Sequence, residues 1–168
     1  MRLLWCITGA GHLLEETVEA MEKLSEGHEI TVACSNAAIE VIRMYGLEER
    51  IRNLSSEIVF EEAQGHSTPI SGSSRFDTVV VAPCTANTVA KIVHGIADTM
   101  VSNVVAQFLK RRRKVIVLPT DCVSELDSKL PSGKRIKIWP REVDLKNIEA
   151  LKKADGVSVV KDPSKIRV

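Results

Sequence analysis

Apolar and polar positions along this chain follow two alternating patterns, one typical of buried strands and one typical of amphipathic helices. Short apolar runs rich in β-branched residues predict strands at 2–7, 29–34, 57–60, 76–82, 114–118 and 157–160. Apolar residues at helical spacing predict helices over about 9–24, 35–44, 87–109 and 143–153. Strands and helices that alternate in this way favour right-handed crossovers, so the pattern predicts a parallel sheet in a three-layer α/β sandwich.

Local signals at the helix ends agree with this pattern. Ser35 precedes the second helix as an N-cap, Gly46 lies near the C-terminal end of that helix, and Asp144 is a suitable cap for the last helix. The first helix follows a glycine turn, and its apolar face consists of Leu13, Leu14, Val18, Met21 and Leu24. This helix therefore has one apolar face that can pack against a sheet.

Length, composition and charge then narrow the function classes. The 168 residues predict one domain over 1–168. A net charge of +1 gives no global basic field for nucleic acid, and no apolar run approaches the roughly 18 residues of a membrane span. The start of the chain lacks a secretory pattern, and the four cysteines lack C-x-x-C spacing. We therefore expect a cytoplasmic protein with buried thiols and no partner nucleic acid, membrane or metal, an iron–sulfur or zinc site being the less common alternative.

The segment 79–107 carries the strongest indication of a ligand site. A buried apolar strand runs to Pro83 and gives way to a turn of small and polar residues before helical spacing resumes. The turn consists of Pro83, Cys84, Thr85, Ala86, Asn87 and Thr88. Small side chains let a ligand approach the backbone, and the unpaired N–H groups of a helix N-terminus favour anions and polar groups. Because open α/β sheets bind ligands where buried strands end, we predict the site here.

The first glycine turn helps to distinguish a dinucleotide-binding site from a site for a terminal phosphate. Gly9, Ala10 and Gly11 supply the first two glycines of a G-x-G-x-x-G fingerprint, but Leu14 occupies the third position. Ser35 and Asn36 follow the second strand, where a dinucleotide-binding protein would have an acidic residue for the ribose. A hydroxyl and an amide at a helix N-terminus suit a terminal phosphate better than a ribose diol. The alternative is an ordinary glycine turn and an ordinary serine cap.

The turn at 83–88 and the segment 91–98 resemble a known family. Together they read P-C-T-A-N-T and K-I-V-H-G-I-A-D, close to the P-A-S-A-N-T and K-I-A-x-G-I-A-D motifs of the homo-oligomeric flavin-containing cysteine decarboxylases and their relatives. The resemblance implies a flavodoxin-like fold, FMN as cofactor, and a homo-oligomer that is a trimer or a multiple of trimers. It also implies FMN contacts from Gly9, Ala10, Gly11, Ser35, Asn36, Pro83, Cys84, Thr85, Ala86, Asn87, Thr88 and Ser102. For Ser102 a simple packing role stays equally open.

The decarboxylases of that family use a histidine upstream of the P-A-S-A-N-T turn. His66, in the polar loop 64–74, is the nearest candidate for this catalytic role. A histidine near a flavin can move protons because its pKa lies near neutrality. The spacing from His66 to Asp77 is longer than the resemblance leads us to expect, so a solvated loop residue is the open alternative. His12, His28 and His94 rank behind it.

The segment after the fifth strand decides between branches of the family. Cysteine decarboxylases carry a P-x-M-N-x-x-M-W clamp there, whereas residues 118–126 of this chain read L-P-T-D-C-V-S-E-L and keep only the proline. Asp121 would also repel a substrate carboxylate. The prenyl-transferring branch needs basic side chains, and Lys134, Arg135 and Lys137 look more like a charged strand face.

The chain is therefore more similar to the archaeal flavoproteins and dihydromethanopterin reductases. That similarity implies an FMN-dependent oxidoreductase that takes electrons from a ferredoxin-like donor and passes them to a small-molecule acceptor, such as a pterin. A flavin-dependent decarboxylase of a cysteine-containing substrate is one alternative, and a non-catalytic flavin- or nucleotide-binding regulator is another. The basic run 110–114 is typical of a solvated helix C-terminus. It can also steer an acidic electron donor, and its lack of interleaved aromatics disfavours nucleic acid.

Overall fold

The sheet that organises the molecule is built from the predicted apolar runs. The computed structural model describes residues 1–61 and 74–168. The strands are β1 (Arg2–Ile7), β2 (Glu29–Cys34), β3 (Glu57–Phe60), β4 (Thr78–Cys84), β5 (Val115–Pro119), β6 (Leu126–Lys129), β7 (Arg135–Ile138) and β8 (Val157–Val159). The α-helices are α1 (Leu14–Ser25), α2 (Asn36–Met44), α3 (Glu48–Leu54), α4 (Ala86–Val93), α5 (Met100–Lys110) and α6 (Glu142–Leu151), and a 3₁₀ turn spans Pro163–Lys165.

Strand order gives the sheet a single point of reversal. Six parallel strands lie in the order β3-β2-β1-β4-β5-β8, and β6 and β7 form a separate antiparallel hairpin. The order β2-β1-β4-β5-β8 is the flavodoxin-like one, with β3 added outside β2. The chain leaves β1 toward one side and β4 toward the other, so their carboxyl ends border a crevice between diverging turns. The predicted flavodoxin-like three-layer α/β sandwich is confirmed.

Alternate residues of β1 separate the core into two layers. Leu3, Trp5 and Ile7 pack with α1, α2 and α3, whereas Leu4 and Cys6 pack with α4, α5 and α6. Both layers are closed by fully buried side chains, which is why the strands read as continuous apolar runs. In the described residues, no helix has the length and hydrophobicity needed to cross a bilayer.

The structure corrects the predicted helix over 87–109, which is two helices. Gly95 has φ 70°, a conformation that favours glycine, and ends α4 in a Schellman motif in which the Ile96 N–H donates to the Lys91 carbonyl at 2.8 Å. A second helix, α5, then begins with Thr99 as its N-cap. The segment K-I-V-H-G-I-A-D therefore consists of the end of one helix and the turn that follows it. This turn redirects the chain between α4 and α5.

Other boundaries also differ from the sequence pattern. α1 begins at Leu14 because Leu13 adopts a left-handed conformation with φ 61°. β4 continues to Cys84, two residues beyond the prediction, and its pairing with β5 shifts between Val81 and Cys84. No helix at α3, no strand at β6 and no 3₁₀ turn were predicted, whereas β7 overlaps the segment 134–137 that was interpreted as a charged strand face. Asp144 caps α6, as predicted, from the third position of the helix.

Trp5 makes a buried polar bond at the irregular end of β4. Its Nε1–H donates to the Ala82 carbonyl at 2.9 Å, and the side chain is fully buried. We expect Trp5→Phe to destabilise the fold by about 2–4 kcal/mol, since it leaves that carbonyl without a donor and leaves a small cavity. Urea unfolding at fixed protein concentration measures the change. Trp139→Phe is the matched control, because Trp139 is 64% exposed. Equal effects of the two variants would contradict this account.

Candidate functional site

The carboxyl ends of the central strands bring the predicted turns to one edge of the sheet. Residues 8–13 follow β1, Ser35 follows β2, Thr85 follows β4 and Thr120 follows β5. The β1 and β4 turns are neighbours because those strands pair directly. This edge is the place where an α/β sheet with reversed strand order binds its ligand. We call it the switch-point edge.

Thr8 joins the first glycine turn to the turn after β4. Its hydroxyl donates to the Pro83 carbonyl at 2.8 Å and accepts the Thr85 N–H at 2.9 Å. Its own backbone N–H donates to the same Pro83 carbonyl at 3.3 Å. Thr8 is only 2% exposed, so these bonds form away from water. The sequence analysis missed this residue; a hydroxyl that ends an otherwise apolar strand is the signal that could have indicated it.

The first glycine turn packs closely against α2. A Cβ on Gly9 would lie 2.5 Å from the Ala37 Cβ, and a Cβ on Gly11 would overlap the Tyr45 hydroxyl. Glycine is therefore needed at position 9 for a reason within the chain, whereas a side chain at position 11 would have to displace the Tyr45 ring. Ala10 and Gly11 also line a cavity at the switch-point edge. The FMN contacts predicted for Gly9, Ala10 and Gly11 stay predictions.

Thr85 caps α4, the helix that follows the predicted ligand turn. Its hydroxyl accepts the Thr88 N–H at 3.3 Å and donates to the Thr88 hydroxyl at 3.1 Å. Cys84 is fully buried, and burial raises the pKa of its thiol. Asn87 is exposed in the first turn of α4, and its side chain makes no hydrogen bond within the described residues. Of the residues at 83–88, Asn87 is the side chain left most available to a ligand.

Glu61 is a buried carboxylate that links two helix N-termini. Its Oε2 accepts the Asn36 N–H at 3.1 Å, and its Oε1 accepts the Met100 N–H at 2.7 Å. Glu61 is only 8% exposed. Asn36 begins α2 and Met100 begins α5, so the positive ends of two helix dipoles face one anion. This donor set is suited to an anion, and no local sequence pattern indicated it.

Ser35 and Ser102 both act as helix caps. The Ser35 hydroxyl accepts the Ala38 N–H at 3.1 Å, which confirms the predicted N-cap. The Ser102 hydroxyl accepts the Thr99 N–H at 3.0 Å in a reciprocal capping box, and Ser102 is 2% exposed. Ser35 precedes α2 and Ser102 lies in α5, and Glu61 links the N-termini of these two helices. The ligand contacts predicted for Ser35, Asn36 and Ser102 stay predictions.

A cavity of about 310 Å³ lies over the switch-point edge, within the range typical of small-molecule sites. The edge contributes Ala10, Gly11, His12, Tyr45, Thr85, Thr120 and Asp121, and the hairpin contributes Leu126, Ser128, Leu130, Ile136 and Ile138. Tyr45 fixes the hairpin in place, since its hydroxyl donates to the Lys129 carbonyl at 2.7 Å. The hairpin thus forms an apolar roof over a polar floor. We call this space the switch-point cavity.

Two side chains of the cavity have pKa values shifted by their surroundings. Burial lowers the pKa of His12, and the charges of Glu16 and Asp121 oppose that shift. Burial raises the pKa of Tyr45, with further contributions from Glu15 and Glu16. The Thr120 hydroxyl donates to Asp121 Oδ2 at 2.8 Å, which orients that carboxylate. The cavity therefore combines a half-buried imidazole with an oriented carboxylate.

Three further predictions concern His66, the basic run 110–114 and metal binding. His66 lies outside the described residues. The basic run 110–114 connects α5 to the start of β5, at the sheet edge opposite the switch-point cavity, and Arg113 Nη1 donates to the Phe76 carbonyl at 2.6 Å. In residues 1–61 and 74–168, no group of three or more His, Cys, Asp or Glu side chains is placed to hold a metal ion.

Comparison with known proteins connects this site to a family. The model of the Flavoprotein family matches residues 1–168. The chain belongs to that family. It is 41% identical over 132 residues to a dihydromethanopterin reductase (acceptor) of Methanocaldococcus jannaschii, covering 72% of this chain and 54% of the relative. It is 30% identical to the enzyme of the same name from Methanosarcina mazei, covering 98% and 97%. The chain thus spans about half of the first relative and nearly all of the second.

A solved structure of this family has the same fold. The DmrB protein of Burkholderia xenovorans, in complex with FMN, superposes with a TM-score of 0.82 at 30% identity. The match covers 96% of this chain and 88% of that protein, which is described as a cubic cage for redox transfer. The predicted resemblance to flavin-dependent proteins, with archaeal reductases among them, is confirmed.

The Thr8 link between the two turns gives a direct test of the site's construction. Thr8→Val keeps the shape of the side chain but removes the hydroxyl, so the Thr85 N–H loses its acceptor. We expect a loss of about 1–3 kcal/mol in the free energy of unfolding, measured by urea titration. Thr8→Ser retains the hydroxyl and is the control, with a smaller effect. A Thr8→Val variant as stable as Thr8→Ser would show that these bonds contribute nothing.

Glu61 gives a second test, on the charge at the two helix N-termini. Glu61→Gln presents an amide NH₂ group to one of two N–H donors, so one of the helix ends loses its acceptor. We expect Glu61→Gln to lower the melting temperature more than Glu57→Gln, since Glu57 is exposed and pairs with Arg75 on the surface. Calorimetry on both variants makes the comparison. Equal melting temperatures would remove Glu61 from the account.

Proposed function

We propose that this chain is an FMN-dependent oxidoreductase, in which one domain over 1–168 binds FMN at the switch-point cavity. In the proposed reaction, electrons pass from a ferredoxin-like donor through FMN to a dihydropterin. The observation that carries the proposal is the cavity itself, bounded by the glycine turn, the Thr85 cap and the hairpin roof, in a member of the Flavoprotein family. Bound FMN would supply the redox chemistry, and the protein would position it and control access.

The residues of the cavity fit the chemistry of FMN. Leu126, Ile136 and Ile138 offer apolar surface to a flat ring, while Thr85 and Thr120 offer hydroxyls to its polar edge. The N-terminus of α4 lies at the same edge, and a helix N-terminus favours a negatively charged group such as a phosphate. An aromatic group that carries a phosphate matches both halves of this arrangement.

The comparisons support the choice of a reductase. Two relatives are dihydromethanopterin reductases (acceptor), and one of them matches this chain over nearly its whole length. The cage architecture of the Burkholderia xenovorans protein supports a homo-oligomer, for which we propose a trimer or a multiple of trimers. Four free thiols suit the reducing cytoplasm that we propose as its location. The basic run 110–114 lies at the opposite sheet edge, so we assign it no part in the donor's approach to this cavity.

A decarboxylase of a cysteine-containing substrate is the alternative enzyme, and a non-catalytic flavin-binding regulator is the alternative outside catalysis. Asp121 lines the switch-point cavity, and its negative charge disfavours a substrate carboxylate there. The hairpin roof offers no methionine or tryptophan to the cavity. Both observations favour the reductase.

Separated half-reactions test the proposal. The protein is reconstituted with FMN, reduced anaerobically by reduced ferredoxin, and then mixed with a dihydropterin while its visible absorbance is followed. We expect the flavin bands to bleach in the first step and to return in the second, with tetrahydropterin as product. A flavin that bleaches but is not reoxidised by the pterin would contradict the assignment of the acceptor. Carbon dioxide release from a peptide with a C-terminal cysteine would favour the decarboxylase instead.

Asn87 tests where the cofactor binds. Its side chain is exposed beside the Thr85 cap and lacks a partner in the described part of the chain. We expect Asn87→Ala to weaken FMN binding about fivefold to tenfold, the loss of roughly one hydrogen bond. Quenching of flavin fluorescence measures the affinity. Asn53→Ala, on the exposed side of α3, is the control and should leave the affinity unchanged. Unchanged affinity in Asn87→Ala would remove that residue from the site.

A further inference from the structure

His12 is a chemically competent residue of the cavity to which the proposed function gives no role so far. It follows Gly11 directly and precedes Leu13, whose left-handed conformation opens α1. The imidazole is half-buried and lines both the switch-point cavity and an adjoining cavity of about 360 Å³. Within the described residues neither ring nitrogen makes a hydrogen bond. The ring is therefore available to a molecule in the cavity.

Charged and titratable groups face His12 from every neighbouring element. Glu15 and Glu16 lie on α1, Tyr45 follows α2, and Asp121 follows β5. The hairpin adds Asp127, Lys129 and Arg135. Burial lowers the pKa of His12, and the carboxylates of Glu16 and Asp121 oppose this by favouring the protonated ring. An imidazole that lines a cavity beside two carboxylates is suited to acid catalysis.

The proposed reaction has a need that His12 meets. Reduction of the C=N bond of a dihydropterin adds a hydride to carbon and a proton to nitrogen. The reduced cofactor supplies the hydride, with its two electrons. The proton must come from a group that reaches the substrate nitrogen. Of the four histidines, His28 and His94 do not line this cavity, and His66 lies outside the described residues.

We propose that His12 is the proton donor in the reduction of the acceptor. This inference rests on the proposed function. The N–H bond of the His12 imidazolium breaks as the new N–H bond to the substrate nitrogen forms, and the imidazole is left neutral. The exposed half of the ring then takes a proton from solvent. Asp121 acts as a positioning residue whose charge, oriented by Thr120, favours the protonated ring.

The pH dependence of the two half-reactions tests the assignment. In the wild type we expect the reoxidation by dihydropterin to slow as the pH rises through the pKa of His12, because the donor must be protonated. His12→Gln should slow reoxidation about 100-fold or more and abolish that pH dependence. Reduction by ferredoxin should slow far less, because no proton passes to a pterin in that step. His28→Gln is the control, since His28 lies at the opposite sheet edge beside the Met1 amino group.

A second readout is independent of turnover. Proton NMR of the cofactor-free protein follows the His12 ring through a pH titration. We expect a pKa below the ordinary histidine value, and a further decrease in Asp121→Asn because a charge that stabilises the imidazolium is lost. The half-reactions of His12→Gln are measured at FMN concentrations that saturate the variant, so that a change in FMN affinity does not enter the measured rates.

The outcomes separate the inference from the function on which it rests. A wild type that reduces dihydropterin, with His12→Gln equally fast and equally dependent on pH, overturns the role of His12 and leaves the reductase standing. A wild type that binds FMN but never reduces dihydropterin overturns both. A pKa of His12 that does not respond to Asp121→Asn overturns the positioning role of Asp121.

Discussion

The buried hydroxyl of Thr8 is the constraint on which the candidate site depends. β1 and β4 are neighbours in the sheet, but the turns that follow them lead to opposite faces. Thr8 holds those turns together through hydrogen bonds to Pro83 and Thr85 that are buried from solvent. With that link in place, the glycine turn and the start of α4 form the floor of one cavity. The proposed FMN site and the proposed role of His12 both belong to this cavity.

The same edge concentrates helix N-termini, whose N–H donors are satisfied by groups of the chain itself. α2, α4 and α5 all begin there, and each is capped by a hydroxyl from Ser35, Thr85 or Thr99. Glu61 adds a carboxylate shared by two of these helices. Caps and carboxylate satisfy donors that would otherwise be unpaired, and they hold the helices at fixed distances from the strands. The hairpin then covers the edge with apolar side chains, so the site is polar beneath and apolar above.

Much of this arrangement could be read from the sequence, because it is encoded locally. The β-branched runs identify the buried strands, Ser35 marks a helix start, and the turn at 83–88 marks the switch-point edge. What the sequence pattern missed depends on pairs of residues far apart. The role of Glu61 depends on α2 and α5 both contacting it in the fold. The role of Thr8 depends on β4 lying beside β1.

Two other misses have local causes. The break at Gly95 was hidden because apolar spacing continues on both sides of it, so that two helices read as one. The hairpin strands β6 and β7 are four residues each and rich in charge, which gives no apolar run to detect.

A crystal structure of the FMN-reconstituted protein shows directly whether FMN binds at the switch-point edge. We expect the isoalloxazine ring between the Ala10–Gly11 turn and Thr85, beneath the hairpin. A flavin bound elsewhere, such as in the cavity between α1 and residues 161–167, would contradict the proposed site and with it the role given to His12.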